Sequence, residues 1–134
     1  MSEVSEEKGI NETRSTFETL EVWKEARELR NEISKLTRNL PSDEKYRLAD
    51  QMIRASRSVT ANIAEGHGRY HFQESIQFCR QARGSLYELL DHLTVALDEG
   101  YVSKVMFNEL KTKMLKTIKI LNGYIHYLTK RKTI

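Results

Sequence analysis

Between Leu20 and Leu40 the chain sets Val22, Ala26, Leu29, Ile33, Leu36 and Leu40 at spacings of 4, 3, 4, 3 and 4. Such spacing gathers apolar side chains along one side of an α-helix, because residues three and four apart share a face. An amphipathic helix of this length draws its stability from burying that side against a partner. The spacing predicts a helix from about Thr19 to Asn39, with Leu20 and Trp23 widening its apolar side. Leu40-Pro41-Ser42 ends it, since the residue before a proline avoids helical geometry.

The rest of the chain has few alternatives to more helix, because its 134 residues hold only six glycines and a single proline. Ser42 is expected to cap a second helix with Asp43 and Glu44 in its first turn. Its inner stripe is Ala49, Met52, Ser56, Val59 and Ile63, on a face kept small by Ala55, Ala61 and Ala64. It fades at Gly66-His67-Gly68, where either glycine is expected to take the left-handed conformation that closes a helix. A third helix, from about His71 to Glu99, carries Phe72, Ile76, Cys79, Ala82, Leu86, Leu89, Leu93 and Ala96 or Leu97. Gly100 is its natural terminator, and Ser103 caps a fourth helix striped by Met106, Leu110, Met114, Ile118, Leu121, Ile125 and Leu128. Short connections make successive helices antiparallel neighbours. The expected fold is all-α: an up-down-up-down four-helix bundle over residues 17–130, after a flexible polar tail (1–16) and before a basic one (131–134).

The stretch Asn62–Ser75, NIAEGHGRYHFQES, holds the residue types of several chemistries. A phosphate-cradling loop needs a strand before it and a lysine after the last glycine, and neither is present. His67 and His71 with Glu65, and Glu74 or His126 beside them, make a candidate metal set, but the histidines flank a helix break. No glutamate is followed three residues later by histidine, the pattern of di-metal bundles. No nucleophile elbow occurs, and Cys79, alone on an apolar stripe, reads as a small core residue. The sequence calls for no cofactor, no metal and no catalytic set. A single cysteine fits a reducing cytosol, and no apolar run approaches the roughly 20 residues of a membrane span. The polar N-terminus has no apolar core of a secretory signal. The stretch then reads as a helix–helix corner, with Arg69, Tyr70, His67 and His71 clustered at one end of the bundle. Asn62, Glu65, Arg83, Ser85 and Glu88 read as a structural polar network, with Arg83 paired to Glu65 across the second and third helices.

Charge is unevenly spread behind a net +3. Residues 101–134 hold eight basic side chains against Glu109 alone, a local +7. A basic helix is either a solvated face or the footprint of a polyanion.

The segments LEVWKEARELRNEISKLTRNLP, SVTANIAEGHGR and ESIQFCRQARGSLYELLDHLTVALDEGY together resemble the bacterial four helix bundle protein family, also called 23S ribosomal RNA intervening-sequence proteins. The likeness covers about residues 17–128 and is sharpest at Leu20–Trp23, at Asn62–Gly66 with Gly68-Arg69, and at Ala82–Ser85 with Glu88. The family commonly has Pro-Ser where Thr60-Ala61 stand here, so this member is expected to have a straighter second helix. The resemblance implies a ring-like homopentamer. It also implies kinship with accessory proteins of diversity-generating retroelements, which bind nucleic acid and a reverse transcriptase. Trp23, Phe78, Tyr87, Leu90 and Phe107, off the main stripes, fit a subunit interface. The leading expectation is a non-enzymatic, cytosolic, oligomeric protein that binds RNA or DNA, with a reverse transcriptase or a ribosomal component as its partner class. Lys111, Lys113, Lys116, Lys119, Lys130, Arg131 and Lys132 would contact phosphates, with Arg69 and Tyr70 as secondary candidates. The alternatives are a protein–protein adaptor and a metal-dependent enzyme using His67, His71 and Glu65.

Overall fold

The computed structural model describes residues 16–132. The expected N-terminal tail falls outside them save for Thr16, as do Thr133 and Ile134. Among the described residues there are four α-helices and no strand: α1 (Glu21–Thr37), α2 (Leu48–His67), α3 (Phe72–Asp98) and α4 (Lys104–Lys132). They alternate in direction and pack α1 on α2, α2 on α3, α3 on α4 and α4 back on α1, which closes the bundle. The apolar stripes meet in one core, where Ile33, Met52, Ile63, Leu86, Leu89, Leu93, Met114 and Leu121 are all fully buried. No helix of the described residues is long and apolar enough to cross a membrane.

The stripes read from sequence hold except at two ends. Phe72 and Met106 lie at the first turns of α3 and α4 and stay partly in solvent. Trp23 and Phe107, expected on an outer face, are instead buried in the core of the single chain. Burial of Cys79 pushes its thiol up to about 11, which keeps it protonated and unreactive.

The helix ends differ from expectation in an instructive way. Ser42 does not cap α2; Ser42–Glu44 forms a 3-10 turn, and α2 begins only at Leu48. There the carboxylate of Glu44 accepts from the Leu48 amide (3.3 Å) and from the Tyr101 hydroxyl (2.7 Å), tying the start of α2 to the loop before α4. Neither Gly66 nor Gly68 is left-handed; among the described residues only Gly100 is, at φ 79°. The Tyr101 amide reaches back to the Ala96 carbonyl and the Gly100 amide to that of Leu97, a Schellman ending that needs this glycine. Ser103 caps α4 as expected, its hydroxyl accepting from the Met106 amide at 3.0 Å. In α2, which runs unbroken past Thr60-Ala61, the Thr60 hydroxyl accepts from Arg30 of α1 (3.0 Å).

The Glu44–Tyr101 tie makes stability depend on pH in two windows. The Tyr101 hydroxyl, then the Leu48 amide, hold the Glu44 carboxyl below its ordinary value. That contribution is present above the usual 4.5 and is lost as pH falls through the lowered value. The same bond pushes Tyr101 up to about 12, so its contribution is present below the usual 10.0 and is lost as pH rises toward 12. Tyr101→Phe should remove the alkaline dependence and lessen the acid one, which the Leu48 amide still sustains, seen as a flatter curve of urea midpoint against pH than wild type; an unchanged curve would mean the bond contributes nothing.

Candidate nucleic-acid interface

The cations of α4 fall into two groups with different surroundings. Mid-helix, the Lys113 ammonium donates to the Glu32 carboxylate of α1, and Lys116 lies 3.6 Å from Glu25. The hydrogen bond to Glu32, aided by the charges of Glu32, Glu28 and Glu109, holds Lys113 above the ordinary lysine value. Part of the local charge is therefore already neutralised by α1. Lys111 sits over the Phe107 ring at 5.9 Å, and Lys119 is exposed to solvent.

At the C-terminal end of α4 the setting changes. The helix continues through Arg131 and Lys132, which the sequence pattern alone assigned to a tail. Because α4 runs antiparallel to α3, its last turn reaches the corner between α2 and α3. Lys132 donates to the Gln73 side-chain carbonyl (2.6 Å), and the Arg131 guanidinium lies 5.7 Å from the Phe72 ring and 6.0 Å from the Tyr127 ring. Lys130 is exposed on the same turn. Across the corner, Arg69 pairs with Glu65 (2.8 Å) and covers the Phe78 ring at 4.8 Å. Tyr70 is 90 % exposed, its ring edge-on to His71. The structure thus gathers Arg69, Tyr70, Arg131 and Lys132 at one end and leaves Lys111, Lys113, Lys116 and Lys119 along the shaft.

The polar network is not the one expected. Arg83 does not meet Glu65; it donates to the Asn122 side chain of α4 at 2.7 Å, and Glu65 is taken by Arg69. Ser85 pairs with Ser58 of α2 (2.8 Å), which also accepts from the Asn62 amide (3.0 Å). Glu88 is held by His92 one turn on (3.0 Å). These bonds tie α3 to both of its neighbours and carry no reactive constellation. His67 is half-buried, while His71, Glu74 and His126 are exposed. Among the described residues no three histidine, cysteine or carboxylate side chains are grouped as ligands for a metal.

A family model described as 23S rRNA-intervening sequence protein matches residues 18–123. The chain belongs to that family. No curated protein matches it. Among solved structures, a protein of unknown function from the S23 ribosomal protein family of Bacteroides thetaiotaomicron VPI-5482 has a similar fold, with a TM-score of 0.73. The two chains are 20 % identical over 78 % of this one and 95 % of that one, a likeness of fold alone. In this member of the intervening-sequence family, sequence reasoning overlooked Phe72 and Tyr127 as partners of the end cluster. The signal that pointed to one of them was the i, i+4 spacing of Tyr127 and Arg131 on α4.

Proposed function

We propose that this protein is a non-enzymatic, homo-oligomeric nucleic-acid-binding protein whose cations hold the phosphates of RNA or DNA. The observation that carries the reading is the convergence of Arg131 and Lys132 with the Arg69-Tyr70 corner, two elements far apart in the sequence. A lone basic helix is commonly a solvated face, but here Arg131 and Lys132, which no carboxylate of the described residues is shown to engage, close on the aromatic corner of another element, beside an Arg69 that Glu65 partly neutralises. The family's name, which attaches it to a ribosomal RNA element, supports RNA as the ligand. Repetition around a ring would make individually weak contacts additive, and a reverse transcriptase or ribosomal protein is the partner class the sequence resemblance suggests.

The test is binding of labelled RNA hairpins and duplex DNA across a salt series. Removing one cation that holds a phosphate should make the log–log salt slope shallower by about 0.9 and lower affinity roughly eightfold near ~0.1 M salt. Lys132→Gln should show that loss on both probes. Lys113→Gln, removing a cation already engaged by Glu32, should cost about threefold or less. Wild type that binds neither probe, or equal losses for the two variants, would overturn this assignment.

One observation favours the adaptor as a second reading. A groove of about 840 Å³ opens between α1 and α4, floored by Leu36, Met106 and Leu110 and edged by Glu32 and Lys113. Its apolar floor is the kind that takes a partner helix.

A further inference from the structure

Three exposed or half-exposed rings, Tyr70, Phe72 and Tyr127, stand at the end of the bundle where the cations converge. Phosphate contacts alone give no reason for them: a duplex presents its backbone and keeps its base faces stacked away. Nor do the rings serve the core, since Tyr70 is 90 % and Tyr127 51 % exposed. Tyr70 meets His71 in a T-shaped pair, and at 90 % exposure nearly all of its ring stays open to solvent. Tyr127 is stacked on one side by Tyr124, 6.2 Å away and inclined by 17°, while the Arg131 guanidinium lies toward both Tyr127 and Phe72. Between the corner and the end of α4 is a recess of about 370 Å³ lined by Tyr70, His71, Phe72, Gln73 and Lys132. That is near the lower end of the roughly 300–1,000 Å³ typical of small-ligand sites, room for one nucleobase with its sugar. Its wall offers a flat ring, an ammonium group and the Gln73 amide. The Gln73 carbonyl is occupied by Lys132, which leaves its N–H groups to donate to an acceptor on a base edge.

Resting on the nucleic-acid reading above, we infer that this end of the bundle is a stacking site for an unpaired nucleotide, so that the protein prefers single-stranded nucleic acid to a duplex. An unpaired base lies against Tyr70, its phosphate toward Lys132 and Arg131. Aromatic rings interleaved with arginine are the composition by which proteins hold single strands, because every base has a π-face whatever its sequence.

The experiment compares labelled oligoadenylate RNA with the same strand paired to oligouridylate, using wild type, Tyr70→Ala, Tyr127→Ala and Tyr46→Ala. Tyr46, 83 % exposed, stands before α2 at the opposite end of the bundle from the recess and serves as the control. Tyr70→Ala should weaken oligoadenylate binding about tenfold or more, with duplex affinity and salt slope unchanged, and Tyr127→Ala, which removes a ring beside Arg131 but outside the recess, should weaken it less. Tyr70 is too exposed for its loss to unfold the chain, and circular dichroism of each variant checks this. Binding of both probes by wild type, with Tyr70→Ala and Tyr127→Ala equal to the control, overturns the stacking site and leaves the phosphate-binding reading standing. Wild type that binds neither probe removes both.

Discussion

Gly66→Val should unfold roughly 10 °C below wild type, and Gly84→Ala a few degrees above it. The two glycines sit in adjacent helices but meet different surroundings. A Cβ at Gly66 would stand 2.9 Å from the Phe78 Cβ and 3.1 Å from the Ser75 carbonyl oxygen. Neither neighbour is the yielding tip of a side chain. Ser75, itself buried, donates its hydroxyl to the Gly66 carbonyl at 2.7 Å, so the start of α3 is pinned against the end of α2. Valine therefore has to push the two helices apart, at a cost of about 3 kcal/mol. A Cβ at Gly84 meets nothing within 4 Å, and there the substitution only removes backbone freedom from the unfolded chain, a gain of about 0.5–1 kcal/mol. Thermal unfolding followed by circular dichroism measures both. A neutral Gly66→Val would show that the close approach is absent. A destabilising Gly84→Ala would show that this face of α3 is covered in the assembled protein.

Removing two acids from α1 should tighten nucleic-acid binding. Glu25 and Glu32 engage Lys116 and Lys113, and the Glu25→Gln, Glu32→Gln double variant returns both lysines to solvent while raising net charge from +3 to +5. Each lysine that then finds a phosphate steepens the log–log salt slope by about 0.9 and adds roughly eightfold in affinity near ~0.1 M salt, so the pair reaches tens of fold. Stability should change by less than about 1 kcal/mol per pair, because both ion pairs are partly solvated. Titrations at several salt concentrations read the slope directly. Unchanged affinity would confine the ligand to the end of the bundle and leave the shaft of α4 outside its path.

The four helices were legible because burial imposes a period on the sequence, and Val22 to Leu40 or Leu110 to Leu128 display that period without outside help. What was hidden depends on groups far apart in the chain. Ser42 looked like a cap, yet the acceptor that opens α2 is Glu44, held in place by Tyr101 from 57 positions away. Gly66 was legible as a glycine, but two physical needs select glycine, a positive φ and a close approach. Only the position of Phe78 tells which applies. The charge of α4 was plain, whereas its partial neutralisation needed α1 laid beside it. Arg83 found Asn122 rather than Glu65 because it faces α4 and not α2. The end cluster was half visible. Arg69 and Tyr70 were identified at the corner and Arg131 and Lys132 at the terminus, and the antiparallel run of α4 is what unites them.

The tight corner between α2 and α3 also sets the order in which the chain can assemble. Joining these two helices closes a very short loop, whereas joining α1 to α4 closes nearly the whole chain, and closure entropy grows with the span. The Gly66–Ser75 contact and the hydroxyl pair of Ser58 and Ser85 reward that first closure at once. Closing the central hairpin early, with α1 and α4 condensing onto it, is thus an order that loop entropy favours. On that order the recess at the bundle's end is completed last, because one wall belongs to the hairpin and the other to the final turn of the chain.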